Sequence, residues 1–316
     1  MKQWKIDVAV LCIFFARPEQ FEQTFEQVRK VRPRVLLLWQ DGARENRPDD
    51  LENIQKCRRI AENIDWDCKV YRQYHEKNYG CDPSTFFSHK WAFSIVSKCI
   101  VLEDDILVSQ SFFYFCKELL DRYEFDDRID RICGQTLFGG IEDKRYSYFF
   151  ASSGSSWGWA SWRRVAQTWE ENYEVLDDEY YLDLLNHKNG ISAIQKRMMK
   201  EARQHKMEKI PYWEHIIGMS TTLNSRLVIY PTVNLVENIG ASVNATHATD
   251  RIEKLPSDIR TFFETKAMEI EFPLNHPHYI VEDYHYRNKI MNVLQPGFFR
   301  KIKRKLERFW LQFRYR

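Results

Sequence analysis

CIVLEDD, Cys99 to Asp105, is an apolar run that ends on three consecutive carboxylates. Four apolar residues stopped by charge are too few for a helix and read as a strand buried on both faces, the kind found in parallel sheets. Two similar runs precede it, IDVAVLCIFF from Ile6 to Phe15 and RVLLLW from Arg34 to Trp39. Segments rich in Glu, Gln, Lys and Arg separate the runs, and this alternation predicts an α/β fold with a mostly parallel central sheet. Phe21, Phe25, Val28 and Val31 repeat at helical spacing, which places a helix over Pro18 to Arg32 with proline in its first turn.

Ligands of open α/β sheets collect at the carboxyl ends of the strands, so Arg17, Asp41-Gly42 and Glu103-Asp104-Asp105 should share one edge. Three adjacent carboxylates repel unless a positive charge meets them. Mg²⁺ or Mn²⁺ bridging to a diphosphate would do so, because such ions take one or two protein carboxylates in phosphate chemistry. The alternative is an acidic cap for a helix starting near Ser111, with Ser109 or Gln110 closer to the cap itself. Asp41 is suited to accept the imide N–H of a base, and Gly42 to let the backbone approach a flat ring, against the alternative of an ordinary turn. Ser88, His89 and Lys90, on the segment entering VLEDD, could reach the diphosphate or base, with a helix N-terminal region as the competing reading.

Beyond Gln110 the pattern gives a helix over Ser111 to Tyr123, a strand RICGQTL, and an aromatic loop SSGSSWGWASWRR. A charged helical region follows over Val165 to Gln204, then LVIYPTVNLV as extended chain ending in a turn at Ile239-Gly240. This divides the chain into a first half (1–110), a second half of the same domain (111–250), an unassigned extension (251–297) and a basic tail (298–316). Trp157, Trp159 and Trp162 sit in the loop; indole faces suit the C–H side of a pyranose, with Gly158 leaving room for close approach. One of the three should touch sugar and the others should be core, since three exposed indoles are costly to keep soluble.

In combination these motifs resemble the nucleotide-diphospho-sugar glycosyltransferases of the GT-A fold, in particular bacterial ones with an LEDD form of the DxD motif. NYGC (Asn78 to Cys81), VLEDD, SFFYFCKELLDRY, SSWGWASWRR, PTVNLVENIG and NATH follow in the family's order, over roughly residues 8–250. The resemblance implies a Rossmann-like GT-A domain with Asp105 on the metal and Glu103 and Asp104 beside it, touching the ribose or a water. It implies His247 as a further metal ligand, although Asn244 in GASVNATHA stands where relatives carry Asp. It gives Arg17 and Asp41-Gly42 the nucleotide. It also aligns Glu214 of PYWEHIIG with an acidic residue suited to take the acceptor proton as general base. His215 is a weaker rival, and Asp177-Asp178-Glu179 reads as a solvated face. The activity implied is transfer of a hexosyl or N-acetylhexosaminyl group from a nucleotide-diphosphate donor, UDP-linked by expectation, to a glycan or lipid-linked acceptor in bacterial surface polysaccharide synthesis.

The alternatives are a sugar-1-phosphate nucleotidyltransferase and a non-catalytic, membrane-peripheral glycan-binding protein. The first wants a glycine-rich basic loop after the first strand, where this chain has IFFARPEQ. No G-x-x-x-x-G-K-[ST], G-x-G-x-x-G or G-x-S-x-G occurs, which removes the phosphate cradles of ATPases and dehydrogenases and the hydrolase elbow.

The 316 residues carry a net charge of +2, and the last nineteen, Phe298 to Arg316, alone hold +7. The remainder is therefore acidic, at −5, which argues against nucleic acid as a partner. Seven cysteines without a C-x-x-C pair read as reduced cytosolic thiols. Lys2 and Lys5 before the Val8 to Ala16 run imitate a signal peptide, but Arg17-Pro18 replaces the small residues of a cleavage site. No run approaches the ~20 apolar residues of a membrane span. The expectation is a cytoplasmic protein, peripheral on the inner face of the cell membrane. In the tail, Phe298, Phe299, Ile302, Leu306, Phe309, Trp310 and Phe313 recur at steps of three and four among Lys301, Lys303, Arg304, Lys305 and Arg308. That pattern predicts an amphipathic helix suited to an anionic bilayer, against the alternative of packing on the chain's own acidic body or a second subunit.

Overall fold

A computed structural model describes residues 1–142, 145–187, 193–240, 255–261, 264–294 and 296–314. The first apolar run forms β1 (Ile6–Phe14), followed by α1 (Pro18–Val31), β2 (Pro33–Gln40), α2 (Pro48–Ala61), β3 (Lys69–Tyr74), α3 (Cys81–Ile95) and β4 (Lys98–Glu103). Next come β5 (Ile106–Val108), α4 (Gln110–Arg122), β6 (Ile129–Cys133), β7 (Tyr148–Ala151), β8 (Trp159–Trp162) and α5 (Arg163–Ala166). The chain continues through α6 (Glu179–His187), α7 (Ala193–Glu208), α8 (Trp213–Leu223), β9 (Leu227–Pro231) and β10 (Val236–Asn238). It ends with α9 (Ser257–Arg260), α10 (Tyr284–Leu294) and α11 (Phe298–Arg314).

Among the described residues, eight strands form one sheet in the order β3-β2-β1-β4-β8-β6-β9-β7. β7 and β8 run against the other six. This is an α/β architecture with a large, mostly parallel mixed sheet flanked by helices, compatible with a Rossmann-like fold. β1 and β4, central and covered on both faces, are the continuous apolar runs of the sequence. β3, at the sheet edge and half-exposed, alternates too weakly to announce itself. The sheet runs unbroken across residue 110 through the β4–β8 pairing, so the two halves form one sheet.

The second part of the aromatic stretch predicted as a loop is a strand, Trp159–Trp162. β8 lies between β4 and β6, and Trp159 and Trp162 are 1% and 2% exposed. Trp162 Nε1 donates to the Leu120 carbonyl at 3.0 Å, which satisfies its polar edge inside the core. α4 packs beneath through Phe112, Phe113 and Phe115, each buried phenyl contributing about 1.5–3 kcal/mol.

The unassigned extension is structured where it is described. Met268 N–H donates to the Asn234 carbonyl, Ser147 N–H to the Asn275 carbonyl, and Glu282 bridges Phe150 of β7. Tyr286 and Ile290 of α10 pack on Phe149 and Tyr230. Glu269 accepts the free N–H groups of Gln110 and Ser111 at 3.1 and 2.8 Å, so it caps α4. The LEDD carboxylates are thereby relieved of the capping role held open for them.

Candidate active site

β2 and β3 lie to one side of β1 and β4 to the other, so the chain reverses its strand order between β1 and β4 and opens a crevice at their carboxyl ends. The register pairs Ile13 with Glu103, which sets the β1–α1 loop beside the carboxylates. Phe15 N–H donates to Asp104 Oδ2 at 3.0 Å, and the Thr24 hydroxyl donates to the carbonyls of Asp104 and Ile106 at 3.1 and 3.2 Å. Arg17, at the start of α1, meets Asp105 Oδ2 at 2.7 Å and Asp104 Oδ1 at 3.6 Å. From the opposite side Ile239 N–H donates to the Asp105 carbonyl at 2.8 Å.

Burial dominates the electrostatics of this cluster. It pushes the Glu103 carboxyl well above the ordinary range, and the charges of Asp105, Glu214 and Asp104 push the same way, with Arg17 opposing. Asp104 is pushed up to about 7 by burial and then by Asp105, against Arg17 and the Phe15 N–H. Asp105 is raised by burial despite Arg17. For Arg17 itself, burial works against the charge, but Asp104 and Asp105 outweigh it and raise the guanidinium pKa.

The field of Glu214 on Glu103 places the first turn of α8 at the same crevice. Glu214 also lines a cavity of about 410 Å³ with Trp157, Trp159, Trp213, Arg131 and Gln135. β8 runs antiparallel to β4 with Trp159 opposite Val101, two residues before the first LEDD carboxylate, Glu103. Trp157 is half-buried at the cavity, whereas Trp159 is a buried wall packed edge-on to His89.

No protein-family model matches the chain, and no curated protein matches its sequence.

The site assigns several residues differently from the sequence reading. Asp41 does not face the crevice with a free edge: its buried carboxylate accepts backbone N–H groups of Gly42, Tyr79 and Gly80, each at 3.0 Å, and the Asn78 amide at 3.1 Å. It holds the NYG turn. Gly42 serves the same turn, since a β-carbon there would come within 2.3 Å of the Glu76 carbonyl oxygen. Lys90 is exposed on α3 with its ammonium over the Phe86 ring, outside the carboxylate cluster. His89 is fully buried, edge-on to Trp159 and Trp213, and its imidazole is pushed down to about 3 by burial. Ser88 bonds back to the Thr85 carbonyl. Gly158 adopts φ +58°, and a β-carbon on it would strike Val236 Cγ1 at 2.9 Å, so it admits the small β5–β10 sheet. His215 engages the Tyr173 hydroxyl at 3.2 Å and the Met198 carbonyl at 2.9 Å, which commits both ring nitrogens away from the role of base. Asp177 is paired with Lys206.

His247, and Asn244 with it, lie outside the described residues. Arg131, Gln135 and Trp213 were missed. Arg131 is a buried guanidinium paired with Asp130 at 2.6 Å and laid against Gly154, which has no room for a β-carbon. Its only signal was a charged residue opening the strand read as RICGQTL.

The donor chemistry of the crevice suits a hard divalent cation. Asp104 and Asp105 face the Arg17 guanidinium with Glu103 half-buried beside them, and all three offer oxygen as the donor atom. Among the described residues no three His, Cys, Asp or Glu groups converge as a preformed cage. Asp105, at the mouth of the β1–β4 crevice, is the carboxylate that would reach such an ion, and it is paired with Arg17 in this structure.

Proposed function

We propose that the chain is a GT-A glycosyltransferase that moves a sugar from a nucleotide-diphosphate donor, UDP-linked, to a hydroxyl of a glycan or lipid-linked acceptor. The observation that carries this reading is the LEDD carboxylates paired with Arg17 at the carboxyl edge of the sheet, supported by an indole-walled cavity that Glu214 lines. A cavity of that size suits one or two pyranose rings, with Trp157 as the stacking surface and Arg131 and Gln135 as hydrogen-bonding edges. Asp105 would hold Mn²⁺ or Mg²⁺, which would supply charge neutralisation of the diphosphate.

The chain's own residues do the rest. Arg17 keeps Asp105 oriented and offsets part of the negative charge at the floor of the crevice. Glu214 takes the acceptor hydroxyl proton as the new C–O bond forms at the anomeric carbon, and the old C–O bond breaks with its electron pair on the departing phosphate oxygen. Trp157 and Trp213 exclude water from that exchange.

Thermal-shift titration with UDP, GDP, CMP and dTDP sugars, with and without Mn²⁺, tests the reading. A Mn²⁺-dependent rise in Tm with a UDP-sugar is expected; no shift with any donor would overturn it.

A further inference from the structure

α11 is docked upside down for a helix of a water-soluble protein. At about 100° per residue, Phe298, Phe299, Ile302, Leu306, Phe309 and Trp310 fall within one arc of about 120°. Those side chains are 42% to 85% exposed, while Leu311, on the opposite side, is 4% exposed. The helix holds to the body by polar groups. Arg304 Nη2 meets Asp258 Oδ2 and the Val293 carbonyl, both at 2.7 Å; Ser257 N–H donates to Glu307 at 2.9 Å; Arg300 donates to the Asn292 carbonyl. An amphipathic helix that packs for the hydrophobic effect does the reverse. Here the apolar arc is presented outward on a fixed support.

We propose that the partner of this arc is the surface of an anionic lipid bilayer. The charge pattern selects that occupant. Lys301 and Lys305 flank the arc on one side and Lys303 on the other, all exposed, within a tail of charge +7. A bilayer offers negative headgroups to both flanks at once and acyl chains beneath the rings. A second copy of the chain would bring two such cationic tails face to face, which like-charge repulsion opposes. No helix among the described residues is long and apolar enough to cross a membrane, so the contact is along the surface. This inference is independent of the transferase reading, because it concerns a face of the molecule that the crevice does not use.

Flotation of the full chain with phosphatidylglycerol–phosphatidylcholine vesicles tests it, beside vesicles of phosphatidylcholine alone, with light scattering for oligomeric state. The wild-type chain should float with the anionic vesicles at low salt and release partly at high salt. Phe299→Glu/Leu306→Glu should lose flotation while keeping its circular dichroism and Tm, since both side chains are exposed. Lys301→Glu/Lys305→Glu should reduce partitioning at least about tenfold. Wild-type protein remaining at the bottom of the gradient, or either double variant floating as wild type does, overturns the proposal. So does a wild-type dimer that Phe299→Glu/Leu306→Glu dissociates without any flotation, which would assign the arc to a second copy.

Discussion

Gly240 stands so close to Asp105 that a β-carbon on it would lie 1.9 Å from Asp105 Oδ2, the oxygen that Arg17 holds at 2.7 Å. The two residues after β10, Ile239 and Gly240, therefore close directly on the carboxylate, and a side chain at Gly240 must displace it. Gly240→Ala should break the Arg17–Asp105 pair and cost about 1–3 kcal/mol, the usual penalty of forcing extra volume into a packed site. Urea unfolding measures the cost. Donor-dependent thermal shift should disappear in the same variant, and an unchanged shift would show that Asp105 is not needed for binding.

The pH dependence has a definite sign. Asp104 is held at about 7 against an ordinary 3.8, by burial first and by Asp105 second. The folded chain keeps that proton where the unfolded chain has lost it, so this contribution to stability is complete below about pH 4 and lost as pH rises through about 7. Asp104→Asn retains an acceptor for the Phe15 N–H and should flatten the fall of Tm across that window. Addition of Mn²⁺ with a nucleotide-sugar should flatten it in the wild-type chain. A profile in Asp104→Asn identical to wild type would remove Asp104 as its source.

Glu214→Gln preserves shape and removes proton acceptance. The turnover rate for sugar transfer should fall ~10²- to 10⁴-fold with donor affinity little changed. Steady-state kinetics with a competent acceptor provide the measurement. A variant within a few-fold of wild type would take the base role away from Glu214.

Asp41 separates a structural carboxylate from a base-recognition one. Asp41→Ala leaves the N–H groups of Gly42, Tyr79 and Gly80 without their acceptor and should cost about 1–3 kcal/mol of stability or more. Chemical denaturation reads this directly. If Asp41 instead served only the nucleotide, stability would hold and donor affinity alone would fall.

The α/β class, a helix over Pro18 to Arg32 and the gathering of Arg17 and the LEDD carboxylates at one sheet edge are legible in the order of residues alone. Each follows from local facts: an apolar run too short for a helix, a period of three to four residues, and the rule that strand ends share an edge in parallel sheets. Features that depend on neighbours distant in the chain are set when the segments pack. Trp159 and Trp162 became core because β8 is inserted between β4 and β6, and Asp41 became a clamp because residues 78–80 return to it. Gly240 mattered because Asp105 lies beneath it. Periodicity located the apolar face of α11, but Arg304, Asp258 and Glu307 set its direction. A periodic pattern records that a face is apolar; what meets that face is settled by contacts between segments that share no local sequence.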